Sequence, residues 1–178
     1  MIDFAFIAKL EGSSRKGYVP DPENSQSGVT VACGFDIGQR DVTEICNAFP
    51  AELADKLTPY VGKTKQEALV CLNQQPLEIT PEEEAEINKF SHAQAEERLK
   101  QQWQASGART SFDDLPSACQ TVIASVAFQY GNLAQRTPNF WRQVTSLDWQ
   151  AALANLRNFG DKYPTRRNLE ADLLEAHI

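Results

Sequence analysis

Histidine is nearly absent from this chain, with only His92 and His177 among 178 residues. Neither stands in an HExxH setting, and His177 is the penultimate residue, so a zinc hydrolase has no ligand set and no metal is expected. His92 falls in the first turn of a predicted helix and is expected to be exposed. Cysteine is sparse as well. Cys33, Cys46, Cys71 and Cys119 are widely scattered, and no CxxC pair points to zinc or redox chemistry. They read as free, buried thiols packing as small hydrophobes, with a disulfide as the alternative in an oxidising compartment. Basic side chains are outnumbered, 17 against 24 acidic, for a net charge of -7. That balance excludes a generic nucleic-acid binder, which needs a basic stripe against phosphate. No apolar run approaches the ~20 residues of a membrane span, so no membrane insertion is expected. The first eleven residues lack the basic leader of a signal peptide and carry an early Asp3, which implies synthesis in the cytoplasm without a cleaved signal.

What is present describes a globular protein, with 42% hydrophobic and 23% charged residues. At this length a single domain over 1–178 is expected, and roughly 70% of the unfolded chain's surface can be buried without staples. The pattern is mostly helical. Phe4, Ile7, Ala8 and Glu11 have helical spacing, and Gly12 offers a stop. Between about 13 and 40, glycines and prolines punctuate short β-prone pieces, Tyr18-Val19 and Val29-Thr30-Val31. Helical signals then resume. Asp41 caps a face of Val42, Ile45, Cys46 and Phe49, and Thr64 caps the next segment. Thr80-Pro81-Glu82-Glu83 and Ser91-His92-Ala93-Gln94 read as two capping boxes opening two helices. Pro116 starts the most apolar helix, Val122 to Phe128, which should be central and buried. Thr137-Pro138 and Asp148 open further helices. Thr165 is expected to cap the last one, with Leu169, Leu173 and Leu174 inward. The fold class implied is α+β and predominantly helical: a small N-terminal β lobe (about 13–40) and a helical lobe (about 41–178, with helix 1–12) around a central apolar helix. A cleft between the lobes is expected to take Glu11, Thr30 and Asp36.

A pair of carboxylates held on rigid elements is what glycosidic bond hydrolysis needs. Glu11 closes an apolar helix face, and partial burial there would suit a general acid. Asp36 sits in Gly34-Phe35-Asp36-Ile37-Gly38, where it is either a turn residue or a base for the attacking water. Thr30 shares its parity and, on a regular strand, its face, so its hydroxyl could orient that water. Asp21, between Pro20 and Pro22, is a rival for the second carboxylate. A Cys–His peptidase built on Cys33 and His92 is the other candidate chemistry. Cys33 precedes Gly34 in an apolar strand, however, and not a helix N-terminus that would lower its pKa.

These residues resemble the phage lysozyme superfamily, in particular its pesticin-like branch of exported bacterial muramidases. The likeness is carried by the helix ending Glu11-Gly12 and by Thr30-Val31-Ala32-Cys33-Gly34-Phe35-Asp36-Ile37-Gly38. Phe128-Gln129-Tyr130-Gly131 at the end of the central helix and Arg166-Arg167-Asn168-Leu169-Glu170 opening the last one add to it. The resemblance implies a lysozyme-like two-lobe fold. It also implies a muramidase cleaving the β-1,4 bond between N-acetylmuramic acid and N-acetylglucosamine, with peptidoglycan as substrate and no cofactor. Glu11 would be the general acid, Asp36 the second carboxylate and Thr30 the water-positioning hydroxyl. Asp21 takes the place that the Asp holds in the T-even phage enzymes, and Gln129 stands where the usual pattern has a substrate-contacting Asn. A lytic transglycosylase and a non-catalytic wall-binding module are the alternatives. The resemblance further implies a monomer acting on the cell wall after holin release or through a dedicated secretion machine. In the second case an immunity protein plugging the cleft is expected.

Overall fold

The computed structural model describes residues Met1–Ile178. The chain divides into two compact units, Glu11–His92 and Met1–Leu10 with Ala93–Ile178, each with its own apolar core. The unit that holds the sheet therefore runs well past the 13–40 segment, because the helices that follow the strands share their core.

In the Glu11–His92 unit, Gly12 adopts φ 71 after the first helix, α1 (Phe4–Glu11), and turns the chain into β1 (Ser14–Tyr18). β2 (Thr30–Ala32) pairs antiparallel with β1 and with β3 (Phe35–Asp36), giving a three-stranded sheet. Tyr18 lies opposite Thr30, and Thr30 opposite Asp36. Below the strands pack α2 (Val42–Ala48), α3 (Ala51–Leu57), α4 (Lys65–Gln74) and the first turns of α5 (Pro81–Ala105). Phe35, Phe49 and Phe90 meet edge-to-face at 5.2–6.2 Å, the arrangement the ring quadrupole favours. Asp41 caps α2 through Glu44 N–H at 2.9 Å, and Thr80 and Glu83 form the expected reciprocal box. Thr64 precedes α4 without a side-chain cap. On α2 only Ile45 is buried; Val42 and Cys46 face out.

Ser91 does not open a new helix. No Gly or Pro interrupts residues 82–105, so α5 runs unbroken for 25 residues and its second half belongs to the other unit.

In that other unit, α6 (Ser117–Tyr130) is the central element, with every residue from Ala118 to Val126 buried. Around it lie α7 (Leu133–Arg136), α8 (Pro138–Thr145), α9 (Trp149–Arg157) and α10 (Pro164–Glu175). Asp148 caps α9 through Ala151 N–H. α10 starts two residues earlier than a Thr165 cap implies, with Pro164 in the first turn and Tyr163 at the cap. Its inner stripe keeps part of the leucine face expected, with Leu174 buried and Leu173 packed against the core. Leu169 is 43% exposed, whereas Arg166, Arg167 and Glu170 are buried beside Ala171 and Leu174. Charge enters this core because it is matched. Glu170 accepts from Ser125 Oγ at 2.5 Å, from Arg166 Nε at 3.1 Å and from Arg167. Arg167 also reaches Asp161 at 2.9 Å and lies over the Phe159 ring at 4.8 Å.

Candidate active site

Glu11 closes α1 and is half-buried, with its Oε1 shielded from solvent. It lines a cavity of about 290 Å³ with Gly12, Ser13, Ser14, Tyr18, Ala32, Cys33 and Gly34. A larger cavity of about 510 Å³ lies elsewhere, beside Arg109 and Leu147. It contains no carboxylate, so size does not identify the site. Glu11 is the only carboxylate of the smaller cavity.

The cavity wall is held by short, specific contacts. The β2–β3 connection turns at Cys33-Gly34, after Ala32 at φ 52, a value non-glycine residues adopt at a cost. Cys33 N–H donates to Asn88 Oδ1 at 3.1 Å, and Cys33 Sγ lies 3.9 Å from His92 Nε2. Asn88 and His92 are one helical turn apart on α5, so one face of that helix grips the turn twice. Ser13 Oγ donates to Glu84, which ties the opposite rim to α5 as well.

Thr30 and Asp36 sit on adjacent strands, since the chain reverses between them. They share a face because they are direct antiparallel partners, and not through parity along one strand. Both are engaged with Gly28. Asp36 Oδ1 accepts from Gly28 N–H at 2.9 Å and Gly38 N–H at 3.0 Å, and Thr30 Oγ1 donates to Gly28 O at 3.2 Å. Thr30 is buried and Asp36 half-buried, and neither lines the Glu11 cavity. Tyr18 connects the two groups of residues. It lines the cavity and heads the cross-strand row Tyr18–Thr30–Asp36. Burial pushes its phenol up, helped by Cys33 and Asp36.

Asp21 is exposed at φ 39 and outside the cavity, where its carboxylate accepts from Asn24 Nδ2 at 3.0 Å. Gln129 belongs to the other unit. Its Oε1 accepts from Arg167, which ties it into the α10 cluster.

His92 is half-buried beside Cys33, not exposed, because α5 continues through it. Burial pushes its pKa below the ordinary value, with Glu11 opposing. Burial also pushes the Cys33 thiol up to about 11, reinforced by the Glu11 charge. A neutral thiol beside a neutral imidazole is not an activated nucleophile, so proximity alone does not make a cysteine peptidase. All four cysteines are free, with Cys119 buried, Cys33 and Cys71 half-buried and Cys46 exposed. Sequence reasoning missed Tyr18 as part of the Glu11 cavity and Asn88 as the partner of Cys33. The signal that could have found Asn88 is its i, i+4 spacing from His92, which puts both on one face of a helix.

Residues 1–150 match the family model described as pesticin, a bacterial toxin homologue of phage lysozyme, C-terminal part. The chain belongs to the pesticin family. No individual curated protein matches it. The pesticin match takes in Glu11, the whole sheet and α6; the Arg166–Glu170 stripe of α10 lies beyond it. Membership of the pesticin family makes this a lysozyme-like α+β fold, mostly helical, and supports a glycosidase of the muramidase type.

Proposed function

We propose that this chain is a peptidoglycan muramidase that hydrolyses the β-1,4 bond between N-acetylmuramic acid and N-acetylglucosamine. The observation that carries the reading is a shielded carboxylate, Glu11, in a cavity whose Tyr18 heads a row ending in Thr30 and Asp36. In this reading Glu11 protonates the departing glycosidic oxygen. Water adds to the anomeric carbon and loses its proton to Asp36. Two backbone N–H groups converge on Asp36 Oδ1, which fixes the carboxylate and leaves Oδ2 as the oxygen assigned to the water. Thr30 donates its hydroxyl proton to Gly28 O, so its lone pairs are oriented to accept from that water. Asp21, bonded within its own turn, is given a substrate-rim role at most.

One observation favours a second reading, a lytic transglycosylase. The cavity itself holds a single carboxylate, and one acid suffices when the sugar's own hydroxyl closes on the anomeric carbon. Mass spectrometry of the muropeptides released from purified walls separates the two. The muramidase reading expects hydrated reducing ends; 1,6-anhydro ends would replace it with the transglycosylase. Pelleting with walls but no soluble fragments would leave only a binding module.

A further inference from the structure

The proposed hydrolysis gives no role to Lys63 or Cys71, yet the two side chains meet. Lys63 Nζ donates to Pro59 O at 2.7 Å and stands 3.4 Å from Cys71 Sγ. Cys71 Sγ lies 3.6 Å from the same carbonyl oxygen, so one acceptor gathers the amine and the thiol. Both residues are half-buried, and Cys71 packs from α4 against the core of the Glu11–His92 unit. The Lys63 main chain meanwhile lies behind Asp36. Its carbonyl oxygen occupies the space that a Cβ on either Gly28 or Gly38 would need, at 2.3 Å from each. Those two glycines supply the N–H groups that hold Asp36 Oδ1. Thr64 pairs with Gly28, and Lys65 N–H donates to Ser27 O at 2.9 Å, so residues 63–65 are stitched along that segment.

We propose that Lys63 and Cys71 form a modification site at which a peroxide joins Nζ to Sγ as a sulfenamide, fastening the segment behind Asp36 to α4. The Cys71 sulfur attacks one oxygen of hydrogen peroxide. The O–O bond breaks, a sulfenic acid forms and water leaves. The Lys63 amine, in its unprotonated form, then attacks that sulfur. The N–S bond forms, the S–O bond breaks, and the hydroxyl leaves with an amine proton as a second water. Thiol, amine and one peroxide thus become sulfenamide and two waters; the sulfur gives up two electrons and the peroxide takes them. The flexible four-carbon lysine stem lets Nζ close the 3.4 Å gap by changing rotamer. A dithiol reverses the link: one thiol attacks the sulfur and frees the amine, and the second releases Cys71 as the reductant closes to a disulfide. The link does not depend on which reaction Glu11 serves.

The test treats the full chain with hydrogen peroxide and reads its intact mass and a non-reducing tryptic map. Wild type should lose about 2 Da, and the loss should reverse with dithiothreitol. In the map, residues 57–65 should appear joined to 66–89, since a substituted Lys63 is not cut by trypsin. The joined fraction should fall at least about tenfold when the peroxide is added in urea, where the proximity is lost. In Lys63→Met, dimedone should trap the Cys71 sulfenic acid that wild type consumes. Equal trapping in the two proteins overturns the proposal. Where Lys63→Met does not fold, the wild-type map decides alone: Cys71 left unoxidised, oxidised but unjoined, or paired with another cysteine overturns it. A joined product about 14 Da heavier than the reduced chain would place an oxygen between nitrogen and sulfur and overturn the direct bond.

Discussion

Gly28 shows how much of this site is backbone. A Cβ placed on it would lie 2.3 Å from Lys63 O and 2.5 Å from Gly38 Cα, so two strand-flanking segments cross there with no space for a side chain. The same glycine accepts from the Thr30 hydroxyl and donates its N–H to Asp36. Gly28→Ala should therefore cost about 2–3 kcal/mol or prevent folding, with the loss read as a drop in the urea midpoint. An unchanged midpoint would mean that this crossing relaxes freely. The sequence showed Thr30 and Asp36 in one segment, with Asp36 open to two readings, turn or base. It could not show that the motif folds back on itself, because the Cys33-Gly34 reversal is set by a pairing partner, β3, only two residues long. Tyr18 was hidden for the same reason: its place opposite Thr30 depends on cross-strand register.

At the scale of elements, helices with strong local signals were legible and those decided by neighbours were not. Asp41, Thr80 and Asp148 cap where their spacing predicts, since a cap is a contact three residues long. The capping-box pattern at Ser91 is overruled because the helix before it has nothing to end it. α10 is the strongest case. Of its leucines Leu174 is buried and Leu173 packs against the core as expected, but Leu169 faces out, and the stripe also buries Arg166, Arg167 and Glu170, tied to Ser125 of α6. Burial pushes the Glu170 carboxyl up, while Arg167, Ser125 and Arg166 hold it toward the charged form. Removing Glu170 takes the shared carboxylate from two buried guanidinium groups, which keep their contacts to Asp161, Gln129 and Ser125. Glu170→Ala should destabilise by about 3–5 kcal/mol, far more than Leu169→Ala on the exposed side, when both are compared by thermal unfolding. Equal losses would show that the leucine face, and not the ion cluster, holds α10.

The whole molecule carries two apolar cores, one per unit. Cys119 lies in one of them, and Cys33 is half-buried at the Glu11 cavity of the other unit; the titration of both is coupled to folding. Burial pushes Cys33 and Cys119 up to about 11 from an ordinary value of 9.0. Between those values the unfolded chain has lost thiol protons that the folded chain keeps, so stability falls as pH rises through that window. The fall should be smaller in Cys119→Ala, measured as the difference in urea midpoint between pH 8 and about 10.5. An identical slope in the variant would remove Cys119 from the account. The helical character, the early β segment and the central apolar helix were all readable from periodicity, because each depends on local pattern. The division at Glu11 and His92 was not, since it follows from which side chains share a core. The proposed hydrolysis turns on the Glu11 carboxyl. The most direct measurement is release of soluble reducing sugar from purified peptidoglycan by wild type and by Glu11→Gln, two side chains of nearly equal shape that differ in whether a proton can be given. The account predicts release by wild type and a loss of at least about a hundredfold in the variant. Equal release by the two proteins would contradict it.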